Sequence, residues 1–311
     1  VNDNVAIGSG SMAGVLTDSA DANTVVGTAA AASITKGAKH TAIGYQSLAT
    51  EDIGDRSTAI GYQSLYGQNS DSDNEETGNT AIGYKSGYSN VTGQNNTYLG
   101  YSAGQGISTK SHSDCVFVGS NAGSTAYTGD NNIAIGSGAM NDIDADATVG
   151  ASTENIFIGK DAGGGTWDTA ASNYNVGIGN LSMDAGMNGA LGNTAVGYAS
   201  LGGLTSGDGN VAIGSGAASA TTNSHGNVAI GHDAMKLCNV SDGYNVAIGH
   251  GVMDAGTGGY YNICIGKDTG AAFANANVGT CVLIGHEAGD AINSSDADGT
   301  VSIGYQALSA L

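Results

Sequence analysis

The sequence predicts an all-β fold, a parallel β-solenoid (β-roll) of about 17 coils of 17 to 23 residues. Three observations predict it. A five-residue element, Asn then β-branched, small, aliphatic and Gly, recurs 17 times in 311 residues, as in Asn4–Gly8, Asn210–Gly214 and Asn227–Gly231. The chain has 53 Gly, no Pro and only 12% charged residues, about half the charge of an ordinary globular domain. Within each element the apolar residues alternate with period two, which fits a strand and not a helix.

The closing glycines run from Gly8 to Gly304, most often 17 residues apart. A strand this short cannot bury a face alone, so each copy must stack on the next. Counting from the closing glycine as position 0, position −3 is Val, Ile or Thr and position −1 is Ile, Val or Leu in all 17 copies. Alternation puts these two on one face of the strand, and Asn at −4 and the small residue at −2 on the other. Taking the β-branched face as the core makes Val5, Ile7, Val211, Ile213, Val228, Ile230, Val246 and Ile248 the expected core residues.

The small residues at −2 are then expected to form a flat outward face that lets another chain approach, interrupted by Val25, Tyr98, Phe117, Phe157 and Leu283. The glycine marks a corner needing positive φ or close backbone approach. After it, Ala or Ser at +3 in 15 copies and Leu, Met, Gly or Ala at +4 in all copies predict a second short strand or turn. Asn at −4, present in 12 copies, is expected to form a ladder from coil to coil, to favour a turn, or both. The longer spacings carry loops, at Asp71–Thr77 and Ile143–Thr148.

The net charge of −20, from 28 acidic and 8 basic residues, repels nucleic acid and anionic membrane surfaces. No apolar run approaches the length needed to span a bilayer, so neither nucleic acid nor membrane insertion is expected. Cys115, Cys238, Cys264 and Cys281 lack metal-ligand spacing and are read as single thiols, buried or half-buried.

The runs Asn-Val-Ala-Ile-Gly-Ser-Gly and Thr-Ala-Ile-Gly-Tyr-Gln-Ser-Leu (Thr41–Leu48 and Thr58–Leu65) resemble the head repeats of trimeric autotransporter adhesins and the repeats of phage tail fibres. The resemblance covers essentially the whole chain, although adhesin head repeats are usually shorter. It implies a left-handed β-roll, assembly as a homotrimer, an extracellular place on a virion or cell surface, and binding to a host glycan or protein. Residues 1–311 are expected to form a single solenoid domain, a segment of a longer fibre or an end-to-end filament. A purely structural filament subunit is the alternative.

Position +1 is the column with most surface chemistry. Tyr45, Tyr62, Tyr84 and Tyr101 follow one another, and His232, His250, Lys267, His286 and Tyr305 form a later run. In register these make side-chain ladders, and the tyrosines and histidines are the candidate ligand-binding residues. Stacked imidazoles attract metal, but no third ligand is evident and no metal site is assigned. The acidic loops, Asp71–Glu76 and Asp142–Asp146, fail the EF-hand pattern and offer weak calcium binding at most. No cofactor is expected, and no nucleophile–base or phosphate-cradle motif points to catalysis. Ice binding needs outward threonine rows, and Thr41, Thr58, Thr80 and Thr97 fall in the column read as core.

Overall fold

The computed structural model describes residues 3–17, 19–73, 75–106, 111–125, 129–142, 151–167, 170–237, 243–255, 259–271, 278–290, 292 and 297–309. Cys238 and the loop residues Asp144 and Asp146 lie outside them. The chain forms two compact units, residues 1–154 and 155–311, and each is a parallel β-solenoid. Among the described residues the first unit carries eight three-residue strands, from Val5–Ile7 to Ile133–Ile135. The second carries nine, from Ile156–Ile158 to Val301–Ile303. Strands one coil apart pair in parallel and in register, Val5 with Thr24 in the first unit and Val211 with Val228 in the second. The sequence columns are therefore columns in space. Among the described residues no helix is long and apolar enough to cross a membrane.

Every coil bends at four positions of positive φ, at −5, 0, +2 and +4. In the coil closing at Gly44 these are Lys39 at 62°, Gly44 at 134°, Gln46 at 51° and Leu48 at 51°. The non-glycine positions sit in the left-handed well, at a cost of about 1 kcal/mol each. Inter-coil hydrogen bonds offset it, such as Gln46 N–H to the Thr28 carbonyl at 3.0 Å. Position 0 lies outside that well, and an added Cβ at Gly231 would strike the Gly249 carbonyl of the next coil. Only glycine satisfies both conditions.

The strands alternate as expected, but the buried side is the opposite one. Val5, Ile7 and Ile213 are 48%, 59% and 40% exposed. Val211, Val228, Ile230, Val246 and Ile248 are half-buried. The interior is lined instead by the small −2 column and the −4 column: Ala212, Ala229, Ala247, Asn193 and Asn245 are fully buried. The reason is volume. Leu48, Leu65, Met140, Met183, Leu201, Met235 and Met253, all at +4, fill the inside of the coil and are fully buried. A close-packed interior then leaves the facing strand room for Ala, not for two β-branched rows.

The residues that seemed to interrupt an outward face obey the same rule. Val25, Tyr98, Phe117, Phe157 and Leu283 are fully buried. Where −2 is Tyr98, Phe117, Phe157 or Leu283, position +4 is Gly104, Gly123, Gly163 or Gly289. A Cβ on Gly104 would meet the Tyr98 ring, and one on Gly123 the Phe117 ring. Val25 pairs with Ala31, both of middling size and both buried. In the coils of Tyr98, Phe117, Phe157 and Leu283 the large side chain thus comes from the strand, and in those of Leu48, Leu65 and Met235 from the corner.

The −4 asparagines form the expected ladder, inside the solenoid. The Asn193 carbonyl oxygen Oδ1 accepts from Asn210 N–H at 2.9 Å, and Asn193 Nδ2 donates to the Gly207 carbonyl at 2.8 Å. Each amide thus satisfies one backbone donor of the next coil and one carbonyl of its own loop, groups that would be costly if buried unpaired. Cys115, Cys264 and Cys281 are buried.

Candidate functional site

The corner at positions 0 to +2 turns the +1 side chain away from the interior, so the tyrosine column stands in solvent. Tyr45, Tyr62, Tyr84 and Tyr101 are 41–56% exposed and stack in sequence. Successive ring centroids lie 5.3, 5.1 and 5.1 Å apart, with planes within 14°. Tyr66 and Tyr88 stack alongside at 5.1 Å. Lys85 Nζ bridges the two rows, 5.0 Å from the Tyr88 ring centre and 5.7 Å from that of Tyr84. Gln63 Nε2 donates to Gln46 Oε1 at 2.8 Å beside them. Rings stacked on each other spend their π-faces within the ladder. They offer a ligand edges and phenol hydroxyls about one strand spacing apart, with open faces only at Tyr45 and Tyr101.

The histidines divide. His232 and His250 stack with centroids 5.2 Å apart and planes at 6°. Lys267 separates His286 from them, and His286 meets Tyr305 edge-on at 5.5 Å. Sequence reasoning missed the neighbouring +2 column, which supplies each histidine with a carboxylate. His232 Nδ1 lies 3.2 Å from Asp233 Oδ2, His250 Nδ1 3.7 Å from Asp268 Oδ1, and His286 Nδ1 3.5 Å from Glu287 Oε1. Position +2 has positive φ in every coil, and the Asp, Gln and Glu residues there were legible as a second surface column. Lys267 donates to Asp268 Oδ2 at 2.5 Å, which holds the Asp268 carboxyl below its ordinary range and raises the Lys267 ammonium.

The acidic loop of the first unit is largely engaged by neighbours. Lys36 pairs with Asp73 at 2.8 Å, Arg56 with Glu76, and Gln94 donates to Glu75. Glu75 Oε2 also accepts from the Asp71 amide at 3.1 Å. Asp142 accepts from Thr125 Oγ1 at 3.2 Å.

The remaining surface feature is the strand face itself. Positions −3 and −1 point outward, so the second unit presents Val211, Val228 and Val246 beside Ile213, Ile230 and Ile248, in register. In the first unit the same face carries Thr41, Thr58, Thr80 and Thr97 beside Ile43, Ile60, Ile82 and Leu99. The threonines are half-buried on the outside, so the ground for setting ice binding aside does not hold. No protein-family model matches the chain, and no curated protein matches its sequence significantly.

Proposed function

We propose that this chain is a segment of an extracellular fibre or adhesin, on a virion or cell surface, whose solenoids associate with further copies of the chain through the outward Val/Thr–x–Ile face. The observation that carries this reading is that face: paired rows of half-exposed to exposed aliphatic side chains, in register from coil to coil. Contiguous apolar surface of this kind marks an interaction site. The resemblance to adhesin and tail-fibre repeats makes a homotrimer the first expectation and an end-to-end filament the second. The role is attachment, not catalysis, and the attached partner is a glycan or protein of the host.

A second reading, a purely structural filament subunit, is favoured by the tyrosine ladder. Its rings stack on one another and leave few faces for a sugar. The threonine rows also leave ice binding as an outcome to measure, by thermal hysteresis. They are confined largely to the first unit, and aliphatic residues accompany them.

Absolute mass by light scattering, with negative-stain images, tests the association. The expected result is a discrete multiple of the chain mass. Ile213→Asp adds a carboxylate to the exposed face, so it is expected to leave each solenoid folded, at a cost under about 1 kcal/mol, and to lower the mass. Ala212→Asp forces a carboxylate into the filled interior and is expected to unfold the coils around it, costing more than about 4 kcal/mol. An Ile213→Asp protein with unchanged mass overturns the proposed face. Binding of the assembled wild type to a glycan array separates the adhesin from the structural reading.

A further inference from the structure

In the second unit, consecutive corners bring together donors of a kind that no single loop supplies. Asp268 and Glu287 occupy the same +2 position in adjacent coils, held in register by the Glu287 N–H bond to the Lys267 carbonyl at 3.0 Å. His286 precedes Glu287 at +1. One ligand atom from each of Asp268, His286 and Glu287 lies within 4.8 Å of the others. His250, exposed on the preceding coil, stands outside this group but beside it, with Nδ1 3.7 Å from Asp268 Oδ1. His286 Nδ1 is shielded from solvent and lacks a hydrogen-bond partner, with Glu287 Oε1 at 3.5 Å.

We propose that Asp268, His286 and Glu287, with His250 as the fourth ligand, form a binding site for a divalent transition metal of the Zn²⁺ class. Two imidazoles and two carboxylates suit a borderline ion in tetrahedral coordination. Calcium would need six or more oxygens. Ligand atoms about 2.1 Å from a tetrahedral ion stand about 3.4 Å apart, which matches the 3.5 Å between His286 and Glu287. The wider gaps close with rotations of these three half-buried side chains and of the exposed His250. Lys267 occupies Asp268 Oδ2 and Gln306 donates to Glu287 Oε2 at 2.7 Å, so each carboxylate keeps a second oxygen for the ion. Lys267 is a competitor: its charge and its hydrogen bond both oppose a cation at Asp268.

Calorimetric titration of the chelator-treated chain with ZnCl₂ tests the site. The expected result is one saturable site per chain. It is lost in His286→Ala, weakened tenfold or more in Asp268→Asn and in Glu287→Gln, and unchanged in His232→Ala, whose pair with Asp233 lacks the converging third group. Lys267→Gln is expected to tighten binding several-fold. Circular dichroism reports whether each variant remains folded, and the three ligand variants can be read independently. Absence of saturable binding overturns the proposal, as does wild-type affinity in folded His286→Ala or Glu287→Gln.

Discussion

The two units solve the same problem at position −4 with different chemistry. In the second unit the column is asparagine without a break from Asn155 to Asn262. The oxygen of Asn155, Asn175, Asn193, Asn210, Asn227 and Asn245 each accepts from the next backbone N–H at 2.9–3.0 Å. In the first unit the column is mixed: Asn23, His40, Ser57, Asn79, Asn96, Cys115, Asn132. His40 does what asparagine does. Its Nδ1 accepts from Ser57 N–H at 3.1 Å, and its Nε2 donates to the Gly54 carbonyl at 2.6 Å, 14 residues on. Cys115 repeats the pattern with longer bonds, Sγ donating to the Gly129 carbonyl at 3.3 Å and accepting from Asn132 N–H at 3.5 Å. The column therefore demands a side chain that donates one way and accepts the other. Asparagine meets the demand at every pH, and neutral histidine meets it only while neutral.

The largest expected effect follows from removing both functions. Asn210→Leu would remove two buried bonds, the one accepted from the Asn227 N–H and the one donated to the Ser224 carbonyl. Losing both is expected to cost about 2–5 kcal/mol. Asn210→Cys imports the substitute already used at Cys115 and, beyond the unbroken asparagine run, at Cys281 (Sγ donating to the Ala297 carbonyl at 3.3 Å), and is expected to cost less than half as much. Because solenoid coils interact chiefly with their neighbours, hydrogen exchange should show the loss within a few coils of Asn210. If Leu and Cys cost the same, the column is chosen for shape, not for paired donors and acceptors.

Acid provides the next test. His112 is buried beside Tyr98 and Phe117, with Nε2 2.7 Å from the Tyr98 hydroxyl, and burial lowers its pKa to about 4. His40 is also lowered by burial, although the buried Glu51 and Asp55 oppose the shift. A base that binds its proton more weakly when folded favours the unfolded chain in acid. The stability tied to neutral His112 is complete above about pH 6.5 and is lost as pH falls toward about 4, worth about 3 kcal/mol. His225, His232, His250 and His286 in the second unit have side chains 38–59% exposed. Hydrogen exchange across this range should loosen coils around His40 and His112 and leave the Asn155–Asn262 column protected. His40→Asn should remove the acid response of its own coil alone. Equal acid lability in both units would sink the distinction.

Much of this fold was legible in the sequence, and one inference failed for a definite reason. Strict columns at −3, −1 and 0 announced stacked strands, and period two placed Val211 and Ile213 on one face. Hydrophobicity then suggested that this face was the core. Hydrophobicity does not measure room, however, and no coil has a large side chain at both −2 and +4. The signal lies in a second pattern along the sequence: Tyr98 with Gly104, Phe117 with Gly123 and Phe157 with Gly163, against Ala42 with Leu48 and Ala229 with Met235. Reciprocal size between −2 and +4 means that the two columns share one space. The histidine–carboxylate group is hard to read from the sequence for a related reason. The ladder at +1 repeats from coil to coil, while Asp268 and Glu287 sit one residue aside, at positions whose left-handed backbone no strand pattern suggests.

The smallest expected effect concerns the tyrosines, and it separates stacking from ligand binding. Tyr84 touches rings on both sides, whereas Tyr198, the tyrosine of the same column at Gly197, has Asn180 and Ser215 as its column neighbours. An aromatic pair contributes about 0.5–1.5 kcal/mol beyond area burial. Tyr84→Leu breaks two pairs and is expected to cost about 1–2 kcal/mol in urea unfolding. Tyr101→Leu, at the end of the row, should cost about half of that, and Tyr198→Leu close to nothing. A graded loss in that order would assign the ladder to stiffening the first unit, because a binding surface has no reason to make the middle ring matter most. A flat series, with glycan or cell binding abolished by Tyr101→Leu alone, would instead point to the open face at the end of the stack as the place where a sugar ring rests.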